Sequence, residues 1–488
     1  MGIVRRHSIR FSIIYYLGII LGYINTILLF PNFLEADQFG LTRMLLSVTI
    51  VISQFAQLGT QNMIIRYHPF FGKKILGVGI IICSLGLFVT LSLIVVFQQS
   101  ILEIYNEKSP LFLEFFHLLI PFSITMVFFN LFDTYLRTLY KNIFSTFLSS
   151  VLVRVVWSAL ILLYYYEYLS FEQFILFYAY AYSIITILSL IYIKLIGQLT
   201  LTIHFNKDEY GHFKEIRSFS AFTILSGLSV FLINKVDILM LGSIEGLETV
   251  GIYAIASYMA AVIVVPGSAI ARTAQSIVAN AFKQENYLII DNVYKKSALH
   301  QLILSAAAYI LITLNYLNLM YFLPEEYHSS FTIFFYLGFS KIVDTGLGIN
   351  GIILINSKYY KTDTIFSVVL LILTVITNLI FIPLLGGEGA AIATMLSLII
   401  YNLLKYSFLK IKMSLDPFTP KTIVAITICL LSFIIPYFIP VFNNIFVDSL
   451  IRSSLMVSIF VPLIYFTKIS TDINELIDQG IRLLKPNK

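Results

Sequence analysis

Apolar residues recur in runs of about 20 along the whole chain, and short polar segments separate the runs. A helix needs about 20 apolar residues to cross a bilayer, because lipid offers no hydrogen-bond partners to an open backbone. Strands of a membrane β-barrel would be about half as long, with polar residues at alternate positions. The pattern therefore predicts an all-α polytopic membrane protein.

Fourteen of these runs qualify as membrane-spanning helices. We place them at 11–33, 42–64, 75–97, 112–136, 143–166, 173–196, 217–241, 250–272, 298–322, 330–355, 363–384, 388–409, 421–440 and 446–467. The longest connections lie near 197–216 and 273–297, and the second has the pattern of an amphipathic cytoplasmic helix. No connection is long enough to form a separate soluble domain.

The distribution of positive charge supports this count. With the N-terminus in the cytoplasm and alternating loops, 26 of the 32 Lys and Arg residues, including Lys405, fall on the inner side. Of the others, three fall in outer loops and three within spans: Arg43, Lys108 and Arg452, then Arg154, Lys235 and Lys341. Loss of one helix would reverse every later loop. The positive-inside rule therefore favours fourteen helices with both termini in the cytoplasm.

Two internal similarities indicate a repeat. IRFSIIYYLGIILGYIN at 9–25 resembles IRSFSAFTILSGLSVFLIN at 216–234, and NLFDTYLR at 130–137 resembles KIVDTGLG at 341–348. These matches pair helix 1 with helix 7 and helix 4 with helix 10, as in two parallel six-helix halves. The predicted divisions are an N-terminal half, a cytoplasmic linker, a C-terminal half, and helices 13 and 14 with a cytoplasmic tail: 1–196, 197–216, 217–410 and 411–488.

Composition excludes several other classes of protein. The chain is 58% hydrophobic and 12% charged, whereas soluble domains carry about 25% charged residues. Its net charge of +6 is explained by inner loops, so no nucleic-acid partner is expected. Cys83 and Cys429 lie in apolar runs, which predicts no disulfide framework and no metal site. The sequence lacks a nucleotide-binding Gly-rich loop, and we expect neither an enzyme nor a cofactor.

Three stretches resemble a known group of transporters. They are LGTQNMIIRYHP at 58–69, VDILMLGSIEGLETVGIYAIA at 236–256 and IPLLGGEGAAIATMLS at 382–397. With the six-plus-six-plus-two helix pattern, the chain resembles the polysaccharide branch of the multidrug/oligosaccharidyl-lipid/polysaccharide exporter superfamily. The resemblance implies a MATE-like flippase for undecaprenyl-pyrophosphate-linked units of O-antigen, capsule or exopolysaccharide, acting by alternating access in the bacterial inner membrane.

The same resemblance leaves other functions open. A lipid II flippase and a cation-coupled multidrug exporter belong to the same superfamily. A membrane glycan polymerase or ligase fits less well, because no outer loop exceeds about 20 residues, a length typical of simple connections. The partners that the resemblance implies are a lipid-linked oligosaccharide, membrane lipids, a coupling Na⁺ or H⁺, and glycan polymerases. Because the repeat already supplies two halves, we expect a monomer.

Cations inside the spans are the candidate substrate ligands. A charged residue at the centre of a bilayer costs about 2.5–3.5 kcal/mol on insertion scales, and usually marks a pathway or a pair. Arg154, Lys235 and Lys341 are therefore predicted to attract the substrate's pyrophosphate, which Arg can bind with two hydrogen bonds at once. In the alternative, Lys341 pairs with Asp344 at i, i+3, and Arg154 pairs with Asp133 across helices 4 and 5.

Acids inside the spans are candidates for ion coupling. Asp133, Asp237 and Asp344 are predicted to bind a cation or a proton. Related cation-coupled exporters carry acids in the helices equivalent to 7 and 10, which Asp237 and Asp344 match by position. Helix 1 has Asn25 where several relatives place an acid. In the alternative for Asp237, its nearness to the outer helix end lets it reach interfacial water.

Overall fold

A computed structural model describes residues 2–200 and 235–484 of the chain. Helices and turns fill these two ranges, and no β-strand occurs within them. The chain divides into two units, Met1–Ala254 and Ile255–Lys488. The expected linker and the seventh expected span lie mostly outside the described residues.

Unit 1 consists of helices of very different lengths. In chain order they are α1 (Gly2–Tyr23), α2 (Phe30–Phe33), α3 (Ala36–Ala56), α4 (Thr60–Phe71), α5 (Lys74–Val96), α6 (Gln98–Tyr105), α7 (Pro110–Glu114), α8 (Leu119–Thr138), α9 (Asn142–Phe147), α10 (Val153–Tyr165), α11 (Phe171–Leu195), α12 (Val236–Ile244) and the start of α13 (Leu247–Lys283). Short π-helical segments, Ile24–Leu29 and Leu148–Leu152, join α1 to α2 and α9 to α10.

The second membrane helix begins and ends earlier than the expected 42–64. A capping box between Glu35 and Gln38 starts α3, because the two groups satisfy backbone donors that the first turn leaves open. The helix stops at Ala56, and Gly59 then adopts a left-handed φ of 73° before α4 begins. The expected span ran across the polar residues that flank Gly59, AQLGTQN at 56–62, so a window of membrane length missed this break.

Close backbone approaches hold α3 in place. A Cβ added to Gly40 would lie 1.9 Å from the carbonyl oxygen of Leu247, and one added to Gly86 would lie 1.9 Å from that of Ala56. Only glycine leaves room for backbones at this separation. These contacts pack α3 against the start of α13 and against α5.

Unit 2 contains the rest of α13 and the remaining helices. They are α14 (Tyr287–Leu314), α15 (Tyr316–Met320), α16 (Ser330–Gly346), α17 (Asn350–Asn356), α18 (Tyr360–Met413), α19 (Pro420–Tyr437), α20 (Ile445–Thr467) and α21 (Thr471–Leu484). The prediction of an amphipathic linker helix at 273–297 is wrong. Helix α13 continues to Lys283 and α14 starts at Tyr287, so only a short turn separates two long helices.

Helix α18 is a hairpin of two helices. Gly386 has a φ of 55° and a ψ of −130°, which interrupts the helical backbone. The hydroxyls of Thr377 and Ser397, on opposite sides of this break, lie 3.0 Å apart. A Cβ on Gly389 would lie 2.0 Å from the carbonyl oxygen of Phe381. The segments 360–385 and 387–413 therefore pack side by side around a tight turn, at the boundary expected between spans 11 and 12.

The described residues contain eleven helices long and apolar enough to span a membrane, or twelve if the bent pair Glu325–Gly346 and Asn350–Asn356 forms one span. That count takes α18 as a single helix. The chain is thus an all-helical multi-pass membrane protein, and fourteen spans stay a prediction.

Two cations assigned to outer loops lie in helices instead. Arg43 is half-buried within α3. Arg452 is buried within α20, where its Nε donates a hydrogen bond of 2.7 Å to Asp448. Its other nitrogens donate to the carbonyls of Pro436 and Ile439 at 3.0 Å each. Arg452 therefore fastens the end of α19 to α20.

Candidate functional site

Arg154 lies in unit 1 at a close crossing of the first and fifth membrane segments. Its guanidinium donates a hydrogen bond to the carbonyl of Gly18. A Cβ on Gly18 would lie 2.6 Å from Cβ of Ser150, so glycine permits this approach. Ser150 belongs to the π-helical segment before α10. Such segments, which leave backbone groups without regular partners, are frequent at functional sites.

Asn25 reinforces the same crossing. Its Nδ2 donates a 2.8 Å hydrogen bond to the carbonyl of Arg154, and its Oδ1 accepts one of 2.5 Å from Ser158. Asn25 is 2% exposed, and thus serves as a buried bridge between helices. The expected acid position is occupied here by a neutral side chain that holds the backbone of Arg154.

The alternative pairing of Arg154 with Asp133 does not occur. Asp133 is bound instead by Arg137, one turn away on α8. Within residues 2–200 and 235–484, no carboxylate lies within ion-pair distance of Arg154. The sequence could not decide this, because Arg137 competes for the same acid from a neighbouring turn.

Two further cations of unit 1 lie close to each other. Lys235 is half-buried immediately before α12, and Arg43 lies close enough for the two positive charges to repel each other. The charge of Arg43 also reaches Tyr178, and that of Arg154 reaches Tyr182. Because these tyrosines are one turn apart on α11, that helix lies beside a region of positive potential.

Asp237 is buried beside this region. It is 7% exposed and accepts a 2.7 Å hydrogen bond from the hydroxyl of Tyr253. The alternative in which it reaches interfacial water does not fit this burial. Asp237 instead has a phenol donor, which stabilises a carboxylate in an apolar surrounding.

Lys341 and Asp344 lie on α16 in unit 2, but they do not pair. Asp344 accepts a 2.9 Å hydrogen bond from Nδ2 of Asn402, whose Oδ1 accepts one of 3.0 Å from Asn350. Lys341 is half-exposed, and across the described part of the chain no carboxylate lies within ion-pair distance of its ammonium. Among the described residues, Lys341 is therefore a cation without a carboxylate partner, and Asp344 nearby is bound by the amide of Asn402.

A buried cation lies one turn from Asn402. Lys405 is 4% exposed and forms a 2.7 Å ion pair with Asp363, and its ammonium lies 4.2 Å from the ring centre of Tyr401. The charge pattern predicts an inner-side position for Lys405, and the structure places the residue within α18 and not in a loop. The signal that could have found it is the spacing of Asn402 and Lys405, which places two polar side chains on one helix face.

The described residues contain no group of three His, Cys, Asp or Glu side chains that could hold a metal ion. What unit 1 does contain is a set of cations, Arg43, Arg154 and Lys235, beside aromatic hydroxyls. Unit 2 contains a free lysine and a connected set of amides and carboxylates. Such groups can bind and release charged ligands without covalent chemistry.

Solved structures with the same fold are transporters. An inward closed conformation of the lipid II flippase MurJ is similar, with a TM-score of 0.74 and 15% identity over 96% of this chain and 100% of that one. An inward-facing MATE family multidrug resistance transporter of the MOP superfamily has a TM-score of 0.61 and 16% identity, over 82% and 94% of the two chains. A MOP superfamily transporter from Pyrococcus furiosus has values of 0.54 and 14%, over 84% and 95%. The chain thus has the fold of the MOP superfamily of transporters.

The family is narrower than the fold. The family model described as polysaccharide biosynthesis protein matches residues 4–277, which is more than half of the chain. The protein therefore belongs to the polysaccharide biosynthesis protein family, and the resemblance to the exporter superfamily is confirmed. No curated protein sequence matches the chain.

Proposed function

We propose that the protein is a flippase that moves an undecaprenyl-pyrophosphate-linked oligosaccharide across the bacterial cytoplasmic membrane by alternating access. The observation that carries this proposal is that Arg154 and Lys341 lie in membrane helices with no carboxylate partner in the described residues. A cation in a span is costly unless it has a partner. A pyrophosphate that crosses the membrane is a partner that is present only during transport.

Each cation has a distinct role in this proposal. Asn25 binds the backbone carbonyl of Arg154, and Gly18 accepts a hydrogen bond from its guanidinium, so the remaining guanidinium donors are oriented before the substrate arrives. Preorganised donors bind phosphate oxygens with less loss of entropy. Lys235 and Arg43 add positive potential, and Lys341 offers a compact charge on the second unit.

The acids are proposed to couple transport to Na⁺ or H⁺. Asp237 and Asp344 each accept a hydrogen bond from a neutral donor, Tyr253 and Asn402. A neutral hydroxyl or amide donor stabilises a carboxylate without adding a positive charge of its own. Asp133 is a weaker candidate, because Arg137 already neutralises it.

A lipid II flippase is the second candidate function. The MurJ structure covers 96% of this chain, and lipid II also carries its saccharide on a pyrophosphate. The cations described above would serve either lipid. A multidrug exporter fits less well, because Arg154 and Lys341, which have no carboxylate partner among the described residues, would not favour cationic drugs.

Flipping of a fluorescent undecaprenyl-pyrophosphate oligosaccharide in proteoliposomes tests the proposal, with lipid II measured in parallel. We expect Arg154→Gln and Lys341→Gln each to lower the rate at least about tenfold, since a charged hydrogen bond contributes about 1.5–3 kcal/mol. Lys295→Gln is the matched control, because that lysine is 38% exposed, is paired with Asp291 one turn away and has no role in the proposal. The flipping rate of this control variant should stay near that of the wild type.

Na⁺ and pH gradients applied separately across the proteoliposome membrane identify the coupling ion.

Three outcomes would count against this function. Undiminished flipping in both variants would make the two cations structural. Flipping of lipid II alone would assign the second function. Flipping of neither lipid by the wild-type protein would indicate a different transported molecule.

The cellular setting is part of the proposal. We place the protein in the bacterial inner membrane with both termini in the cytoplasm, following the distribution of Lys and Arg. It would act as a monomer, receive its lipid-linked unit at the inner face and deliver it to glycan polymerases at the outer face.

A further inference from the structure

Unit 1 contains an aromatic cleft whose lining includes none of the membrane cations. Its volume is about 490 Å³, and its lining is Phe33, Tyr164, Tyr165, Glu167, Leu169 and Ser170. This lies within the range of about 300–1,000 Å³ seen for small-ligand sites. The cleft is at the ends of α2 and α10, on the side that the charge pattern predicts to be outer. The ion-pair and phosphate chemistry proposed above does not use it.

Tyrosine rings form one wall of the cleft. Tyr165 is 54% exposed, and the ring of Phe33 packs against it with a centroid distance of 4.4 Å and an angle of 33°. Tyr166 and Tyr168, which follow on the same loop, are 66% and 76% exposed. Phe33 braces the Tyr165 ring, so that ring offers an ordered apolar surface with little entropy left to lose.

Glu167 adds a carboxylate to the lining of the cleft. Helix α10 ends in a Schellman motif. The backbone N–H of Tyr168 donates to the carbonyl of Leu163 at 2.9 Å, and that of Glu167 donates to the carbonyl of Tyr164 at 2.9 Å. Glu167 takes the left-handed position, with a φ of 62°. In the described part of the chain, no side chain pairs with its exposed carboxylate.

We propose that this cleft is a carbohydrate subsite, at which Tyr165 packs on the apolar face of a pyranose ring and the Glu167 carboxylate accepts hydrogen bonds from its hydroxyls. Sugars present C–H groups on one face and hydroxyls around the edge, which matches a ring beside an acceptor. The subsite deepens the proposed flippase function, on which it rests, and its ligand is the glycan part of the transported lipid.

A tyrosine belt at the lipid interface is the competing explanation. Two observations favour a sugar. The rings line a concavity instead of a convex surface, and an unpaired carboxylate stands among them. That carboxylate would repel the phosphates of anionic lipid headgroups, whereas it suits neutral hydroxyl donors.

Saturation-transfer NMR on the protein in nanodiscs tests the subsite, with N,N′-diacetylchitobiose, lactose and maltotriose as probes. We expect saturation transfer to at least one sugar. Glu167→Gly and Tyr165→Ala should each weaken its binding roughly tenfold or more, as loss of a charged hydrogen bond does. Glycine suits the left-handed position, so Glu167→Gly removes the carboxylate without disturbing the backbone.

The chain offers a matched control. Glu285 ends α13 in the same motif, with a φ of 54° and hydrogen bonds from residues 285 and 286 back to Phe282 and Ala281. Glu285→Gly should leave sugar binding unchanged. The proposal is wrong if no probe receives saturation, or if Glu285→Gly weakens binding as much as Glu167→Gly. Sugar binding lost in Glu167→Gly, combined with no lipid flipping by the wild type, would retain the subsite and reject the flippase.

Discussion

Lys405 and Lys341 carry the same charge in unit 2 but differ in their neighbours. Lys405 has Asp363 at 2.7 Å and is buried, so its charge is already neutralised. Lys341 is half-exposed and has no carboxylate at ion-pair distance in the described ranges. A substrate anion would therefore interact with Lys341, and Lys405 would serve to hold the end of α18 to its start.

The Lys405–Asp363 pair makes a prediction about stability. Lys405→Met leaves a buried carboxylate unpaired and should destabilise the protein by about 3–5 kcal/mol, and Asp363→Leu should have a similar effect. The double variant removes both charges and should be more stable than either single variant. Thermal unfolding in detergent measures all three. Destabilisations that simply add in the double variant would show that the two side chains do not interact.

The sequence locates the membrane cations but not their partners. Arg154, Lys341 and Asp344 stand out because the surrounding residues are apolar. The partner of Asp133 is one turn away on its own helix, whereas that of Lys405 is 42 residues earlier in the chain. Local spacing cannot rank such contacts, because the choice depends on how helices pack. Arg43, assigned to a loop, illustrates the same limit at a helix boundary.

Helix ends follow glycines more closely than hydropathy. The boundaries expected at 42–64 and 273–297 were wrong. The first window ran across the polar residues that flank Gly59, and amphipathic character runs along both α13 and α14. The division between spans 11 and 12 was predicted well, because the Gly386–Gly387 pair marks a turn. Backbone conformation at a few positions therefore decides where these helices begin and end.

The α18 hairpin makes a prediction about these glycines. Gly389→Ala places a Cβ 2.0 Å from the carbonyl oxygen of Phe381, so the two arms must separate, at a cost of about 1–3 kcal/mol or more. Gly346→Ala is the control, because its Cβ would meet only the end of the Leu302 side chain, at 3.2 Å. We expect a clear fall in melting temperature for the first variant and a small change for the second. Equal changes would contradict a close-packed hairpin.

At the scale of the whole molecule, transport direction depends on which side each loop faces. The repeat and the charge count are independent, yet both require a membrane crossing between residues 217 and 241. That crossing lies mostly outside the described residues, so the helix count leaves it open. Whether residues 217–241 cross the membrane can be decided from the side that the earlier and later loops face. One crossing more or less would move every later loop to the opposite side of the membrane.

Labelling with a membrane-impermeant maleimide can measure this sidedness in right-side-out vesicles, after Cys83 and Cys429 are replaced by serine. Single cysteines are placed at three exposed tyrosines, Tyr140, Tyr168 and Tyr321. We expect Tyr168→Cys and Tyr321→Cys to react from outside, and Tyr140→Cys to react only after permeabilisation, because the Lys-rich and Arg-rich loops stay inside.

Reaction of Tyr168→Cys alone would mean that no crossing occurs at 217–241, and the prediction of a parallel repeat would then be wrong. Reaction of Tyr140→Cys alone would invert the protein and place the aromatic cleft in the cytoplasm, where it could receive a lipid-linked glycan but not release one.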